Sequence, residues 1–254
     1  MGEARKAIRI AAVADVHAHE EAVGQIRASF AGLNERADVL ILAGDLTLSG
    51  LVQEVRVLVS ELSDVVIPKL AVLGNHDWEA SQQLRILEVL EEGGIRIVDG
   101  RSSVLNVAGS RVGFAGAKGF CGGFDRYLVT PFGEEALKEF VRAGRRETEK
   151  LESALAALDS DFRVVAVHYS PIRDTLVGEA LELYPYLGSS SLSLPIDTLG
   201  ADVVVHGHAH YGSRFGRTKT GIPVYNVAKP IVNTYALIVL SDEEASASYD
   251  AQPL

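Results

Sequence analysis

The sequence predicts an α/β layered domain, and three observations predict it. Short apolar runs recur at 8–14, 39–43, 65–73, 164–167 and 203–205 without polar alternation, the pattern of strands buried on both faces. Helix-like stretches near 20–35, 51–62 and 79–91 separate the first of these runs, with apolar residues spaced by three and four. Small polar clusters rich in Asp and His then follow directly behind five of the strands. Strand and helix in alternation indicate layers built on a parallel sheet.

The first run, 8–14, follows a basic start (Arg5, Lys6, Arg9) and leads straight into Asp15 and His17. A cleaved leader would not carry such residues, so the start is read as part of the domain. The third helical stretch is closed by Gly93-Gly94, a C-terminal stop signal. After it the rhythm quickens: apolar segments at 95–98, 104–108 and 112–115 succeed one another across Asp99-Gly100 and Gly109-Ser110, which predicts antiparallel pairing. The glycine- and aromatic-rich stretch 118–133 reads as a surface loop. A polar helix from about 134 to 158 follows it, with Leu151, Leu155 and Leu158 on one face. A second irregular segment, 172–195, starts just behind His168 and is placed to overhang whatever His168 binds. Short strands at 222–227, 234–240 and 245–249 complete the chain.

Length suits one domain spanning 1–254, with loop insertions at about 118–133 and 172–195. The net charge of −10 opposes sequence-independent binding to nucleic acid, which depends on neutralising phosphates with Lys and Arg. It does not oppose a small phosphate ester held locally by metal ions. Cys121 is the one cysteine, so no internal disulfide forms, and no apolar run approaches the length of a membrane span. These points predict a cytoplasmic protein acting on a small molecule, without membrane association; they leave oligomeric state open.

The chemistry lies in the clusters. Five of the seven histidines fall in them: Asp15-Val16-His17, Gly44-Asp45, Gly74-Asn75-His76-Asp77, His168, and Gly207-His208-Ala209-His210 each stand behind a strand. In open α/β sheets ligands bind at the carboxyl ends of strands, so the five can converge on one crevice. Convergence would gather carboxylates, an amide oxygen and several imidazoles, a set suited to Mn, Fe or Zn and too large for one ion. Two ions about 3.5–4 Å apart that share a carboxylate would use it, and such a pair stabilises both the attacking and the leaving oxygen of an in-line phosphoryl displacement.

In order and composition the five clusters resemble the motif series of the calcineurin-like metallophosphoesterases, over the span from Asp15 to His210. The resemblance implies a four-layer sandwich of two mixed β-sheets flanked by helices. It implies one divalent ion on Asp15, His17, Asp45 and His210 and a second on Asp45, Asn75, His168 and His208, with Asp45 shared. It further implies that His76 stands beside the leaving group as a phosphate contact or general acid, with Asp77 orienting its imidazole, while a water or hydroxide bridging the metals attacks phosphorus. One departure is His168-Tyr169-Ser170-Pro171, where many relatives have Asn before the histidine and prolines after it. That places substrate preference in question rather than catalysis.

Each residue has a plainer reading. Asp15, Asp45 and Asn75 taken singly are ordinary cap or turn residues, and His168 alone is an ordinary core histidine. His19, which extends the first cluster, is set aside as a rim residue, and His206 is read as structural. Tyr184, Tyr186, Arg173, Lys118 and Arg126 sit in the two irregular segments and suit either substrate contact or packing. Three functions compete: a metal-dependent phosphodiesterase or phosphomonoesterase of small molecules, a nuclease or protein phosphatase of the same family, and a scaffold with a residual metal site. Asp77 stands where protein phosphatases usually carry Glu, and no basic track supports a nuclease.

Overall fold

The computed structural model describes residues 7–241 and 245–249; Arg5 and Lys6 lie outside the described residues. Two six-stranded sheets face each other, with helices on both outer sides.

Strands β1 (Ile8–Val13), β2 (Val39–Ala43), β3 (Lys69–Val72) and β4 (Ile95–Ile97) run parallel in the first sheet, with β4 at its edge. Beside β1, the sheet is extended antiparallel by β11 (Ala236–Leu240) and then β12 (Ala245–Tyr249). The second sheet holds β5 (Ser102–Val107), β6 (Ser110–Ala117), β7 (Phe162–Val167), β8 (Val203–His206), β10 (Pro223–Asn226) and β9 (Phe215–Arg217), in that spatial order. Its central strands β6, β7, β8 and β10 are parallel, and the two edges are antiparallel.

Side-chain alternation explains the unbroken apolar runs. Along β7, Val164 and Ala166 point into the core shared with the first sheet, whereas Val165 and Val167 point outward. The outward set meets Leu151, Leu155 and Leu158, the predicted apolar face, from α5 (Glu135–Ala156) and its end, and Ile196 of α7 (Ser193–Leu199). On the opposite flank, Val55 and Leu58 of α3 (Val52–Glu61) and Ile86 and Leu90 of α4 (Gln83–Glu92) close over the first sheet. Burial on both faces is why neither sheet reads as apolar/polar alternation.

Several expectations need correction. The helix expected over 20–35 is broken into a 3₁₀ turn at Glu20–Ala22 and two short helices, α1 (Gln25–Ser29) and α2 (Leu33–Arg36). Gly24 and Gly32 adopt positive φ at the two breaks. Likewise α4 begins at Gln83 rather than 79, because Ser81 has a φ of 57°. Of the three close segments, only β5 and β6 form an antiparallel hairpin; β4 instead pairs parallel with β3 in the other sheet. The stretch 118–133 is not wholly a surface loop, since Lys118 and Phe124 are buried. The segment 172–195 is largely turned, with 3₁₀ turns at Asp174–Leu176 and Leu181–Leu183, then α6 (Tyr184–Leu187) and the start of α7. Near the end, α8 (Lys229–Val232) and strand β9 add elements the pattern did not suggest.

Candidate metal centre

The parallel strands β1, β2 and β3 of one sheet and β7 and β8 of the other all end at one edge of the sandwich, and their exit loops meet there. Asp15 follows β1, Asp45 follows β2, Asn75 follows β3, His168 follows β7, and His208 and His210 follow β8. All seven residues of the set named from sequence come together, in two groups connected by a third that holds His17, Asp45 and His76. Ligand atoms of Asp15, His17 and His210 lie within 4.8 Å of one another, as do those of Asp45, His168 and His208. Asn75 joins the second group through Oδ1, 2.9 Å from His168 Nε2, while His17 Nε2 lies 4.0 Å from Asp45 Oδ2 and so links the two.

The local backbone is strained to achieve this. Asp15, His17, Asp45 and His208 have φ of 58°, 47°, 48° and 70°, in the left-handed region that L-residues disfavour. Each turns the chain sharply off a strand end so that its side chain points back over the edge. The neighbouring glycines give the loops room. A Cβ on Gly74 would fall on the Asp45 carboxylate, and one on Gly207 would lie 2.6 Å from Asp15 Oδ2.

Hydrogen bonds fix which ring nitrogen faces inward. His168 Nδ1 donates to the Ala43 carbonyl at 3.0 Å, which turns Nε2 toward Asp45 and Asn75 as the atom a cation would take. His17 Nδ1 sits 3.4 Å from the Thr47 carbonyl, and its Nε2 is the atom near Asp45. The Asp15 carboxylate is held by the His208 backbone N–H at 3.0 Å and lies 3.0 Å from His210 Nε2. Buried carboxylates beside oriented imidazoles, with no thiolate, form an oxygen and nitrogen donor set that fits hard or borderline divalent cations.

Electrostatics point the same way. Burial works to raise Asp45, but the charge of His168 and its hydrogen bond prevail and hold the carboxyl well below its ordinary value. Burial likewise opposes ionisation of Asp15, and the hydrogen bond from His210 overcomes it. Burial would lower His168, but Asp45 brings it up to about 9. Burial, then the neighbouring His168, pushes His208 down to about 3, so its imidazole is neutral and able to coordinate. Two ionised, buried carboxylates thus create a demand for positive charge at this spot.

His76 is half-exposed at the rim. Its N–H donates to Asp45 Oδ1 at 2.9 Å, its Nδ1 donates to the Leu48 carbonyl at 2.6 Å, and its ring meets that of His17 edge-on with centroids 4.7 Å apart. Asp77 is a correction to the sequence reading, because it does not touch the His76 imidazole. Fully buried, it accepts from Thr47 N at 2.9 Å, Thr47 Oγ1 at 2.6 Å, Gly74 N at 2.8 Å and Leu46 N at 3.2 Å. Four donors converge there, so Asp77 serves to tie the loop that carries Asp45 to the loop that carries Asn75. Burial still pushes its carboxyl up to about 6.

The residues set aside behave as expected. His19 Nδ1 donates to the His17 carbonyl at 2.7 Å, outside both groups. His206 is buried, bonded to the Gly207 carbonyl and to Thr175 Oγ1 at 2.8 Å each, and supports the loop rather than facing the centre. The overhang expected of 172–195 is present, since the Tyr186 carbonyl stands 3.3 Å from His208 Nε2. Thr47, whose hydroxyl anchors Asp77, had no signal in the sequence, and Tyr169, noted there only as a departure beside His168, packs its ring 4.4 Å from that of His208.

The family model of the calcineurin-like phosphoesterases matches residues 8–212, and the chain belongs to that family of phosphate-ester hydrolases. No curated protein matches the chain. Similar solved structures include phosphopantetheinyl hydrolase (PptH) from Mycobacterium tuberculosis, at 15% identity and a TM-score of 0.59, covering 86% of this chain and 88% of that one. TT1561 of Thermus thermophilus aligns at 16% identity and 0.59, covering 96% and 99%. GAP50, the anchor in the inner membrane complex of Plasmodium, aligns at 13% identity and 0.60, covering 96% and 84%. At these identities the likeness establishes the sandwich fold and leaves function to the site. Among the described residues no helix is long and apolar enough to cross a membrane.

Proposed function

We propose that the chain hydrolyses a small phosphate ester at a pair of divalent ions, one held by Asp15, His17, Asp45 and His210 and the other by Asp45, Asn75, His168 and His208. The observation that carries this reading is the presence of two donor groups at one sheet edge, Asp15, His17 and His210 beside Asp45, His168 and His208, with Asp45 Oδ2 4.0 Å from His17 Nε2 between them. One ion would leave half of a buried, strained and hydrogen-bonded donor set without purpose. When bound, divalent cations supply Lewis acidity to phosphoryl oxygens and bring the pKa of water toward neutrality.

The chain's own residues then have distinct tasks. Asp77 holds the Asp45 and Asn75 loops in register. The Ala43 carbonyl keeps the His168 Nδ1 proton, so that Nε2 faces the centre. His76 stands at the half-open rim and is placed to donate to a phosphoryl or leaving oxygen, with Nδ1 fixed on Leu48 so that Nε2 is the working atom. Hydrolysis without a protein nucleophile is favoured, since the donor groups consist of Asp and His. The acidic surface favours small substrates over polyanions.

The test is turnover of p-nitrophenyl phosphate and bis-p-nitrophenyl phosphate after Mn²⁺ loading, with metal content measured on the same sample. Hydrolysis of either supports the reading. No turnover of either by protein carrying two equivalents of metal would overturn it, in favour of a scaffold role.

A further inference from the structure

A cavity of about 430 Å³ opens beside the centre, lined by Asn75, Trp78, Lys118, Phe120, Lys150 and Tyr169 among others. It adjoins the donor set directly, because Asn75 belongs to both and the Tyr169 ring lies against His208. Two charges on its wall are buried, Lys118 at 8% exposed and Glu147 at 7%. The Lys118 Nζ donates to the Gly119 carbonyl at 2.8 Å and otherwise faces the rings of Phe120, Tyr169 and Trp78, with centroids 5.1, 5.2 and 5.9 Å away. Among the described residues it forms no ion pair. Glu147, the acid on the cavity wall, is taken up by the Gly119 N–H at 3.1 Å and by Lys150 Nζ at 2.6 Å. Arg146, also on the wall, is held by Glu139 at 2.7 Å.

No carboxylate contacts this buried ammonium, and the aromatic faces with the more distant charges of Glu147 and Asp99 offset only part of the cost of burying it. Burial accordingly draws Lys118 below its ordinary range. Of the three cations on the wall, Arg146 and Lys150 are each paired with a glutamate, which leaves Lys118 as the one whose ammonium contacts no carboxylate, next to the proposed phosphate-ester site. The aromatic rings are turned on the ammonium itself, so the wall presents a cation more than a stacking platform.

We propose that this cavity is a second anion subsite, in which Lys118 selects phosphate esters that carry an additional phosphate or carboxylate. The assignment rests on the proposed reaction for its meaning as a substrate site, so one arm of the test is independent of turnover. Trp78, the only tryptophan in the chain, lines the cavity and reports its occupancy.

In excess chelator, titration of the full chain with inorganic diphosphate should change Trp78 fluorescence saturably. Lys118→Met should raise the apparent Kd at least tenfold, and Lys118→Arg should restore most of the affinity. In Mn²⁺-loaded protein, KM for adenosine 3′,5′-bisphosphate should be at least tenfold below that for adenosine 5′-monophosphate, and Lys118→Met should bring the two together. Three results would overturn the subsite: no saturable change in the wild type, an unchanged Kd in a folded Lys118→Met protein, or equal KM values for the two nucleotides. The last would indicate that any preference is for the base. Failure of p-nitrophenyl phosphate turnover with an intact fluorescence response would instead count against the proposed reaction.

Discussion

His168 and Asp45 belong to opposite sheets, and their side chains meet: Nε2 of the histidine lies 3.3 Å from Oδ1 of the aspartate. The same ring donates through Nδ1 to the Ala43 carbonyl, 125 residues earlier in the chain. One imidazole therefore fastens the end of β7 to the end of β2 and presents its free nitrogen where the carboxylate reaches both donor groups. The contact that couples the sheets thus lies inside one donor group, and Asp45 extends it toward the other through His17 at 4.0 Å.

If Asp45 is shared by two ions, its replacement should cost both. Asp45→Asn is expected to lower kcat with p-nitrophenyl phosphate by at least about 100-fold, in line with the loss of a metal ligand or its oriented partner. Bound metal should fall from two equivalents toward one or none. Elemental analysis beside steady-state kinetics checks it, with circular dichroism showing that the fold persists.

Gly74 is required by contact rather than by its own backbone angle, because a Cβ there would collide with the Asp45 carboxylate. Gly74→Ala should therefore displace Asp45 and the loop behind it. A destabilisation of about 1–3 kcal/mol, typical of overpacking, is expected in urea unfolding, together with loss of more than nine-tenths of the activity. Retention of full activity would show that the loop can shift without disturbing the centre.

Asp77 holds two loops together through four hydrogen bonds, all of them from donors. Asp77→Asn turns one acceptor into a donor that faces other donors, and a loss of about 1–3 kcal/mol is expected from the unsatisfied groups. Were its task to orient His76, stability would change little and the pH profile of kcat would move instead. Urea unfolding and a pH–rate profile on the same variant separate the two.

Far from the centre, Asp38 accepts from the Arg9 backbone N–H at 2.8 Å and from its guanidinium at 2.7 Å, joining the start of β1 to the entry of β2. Burial opposes its ionisation, but the Arg9 hydrogen bonds prevail and hold the carboxyl below its ordinary value. A depressed carboxyl contributes stability above the unfolded value of about 3.9 and loses it as pH falls through the folded value. Asp38→Asn should thus be less stable than the parent at pH 7, by about 1 kcal/mol for a part-exposed pair. The gap should close as pH is taken below the unfolded value and through the lower folded one. Urea unfolding of both proteins across that range measures it.

The central strands and the residues that gather at their ends were legible in the sequence because each is local: an apolar run ends, and a polar cluster follows. The flanking elements were less so. The stretch 20–35 has helical spacing throughout, and only the φ imposed at Gly24 and Gly32 breaks it. The parallel pairing of β4 with β3 could not be told from a hairpin by turn residues alone, since Asp99-Gly100 suits either path. Asp77 was misassigned because its true partners, Leu46, Thr47 and Gly74, are set by tertiary packing that no motif encodes. Lys118 was visible as a loop cation, but its burial among three rings depends on where α5 and the 3₁₀ turn carrying Trp78 come to rest.

The central claim is that the seven donors hold two ions with Asp45 between them, and the anomalous difference map of a crystal soaked in Mn²⁺ tests it most directly. Two peaks, one beside Asp15, His17 and His210 and the other beside Asn75, His168 and His208, each within coordination distance of Asp45, are the predicted result. A single peak, or peaks away from these side chains, would contradict it.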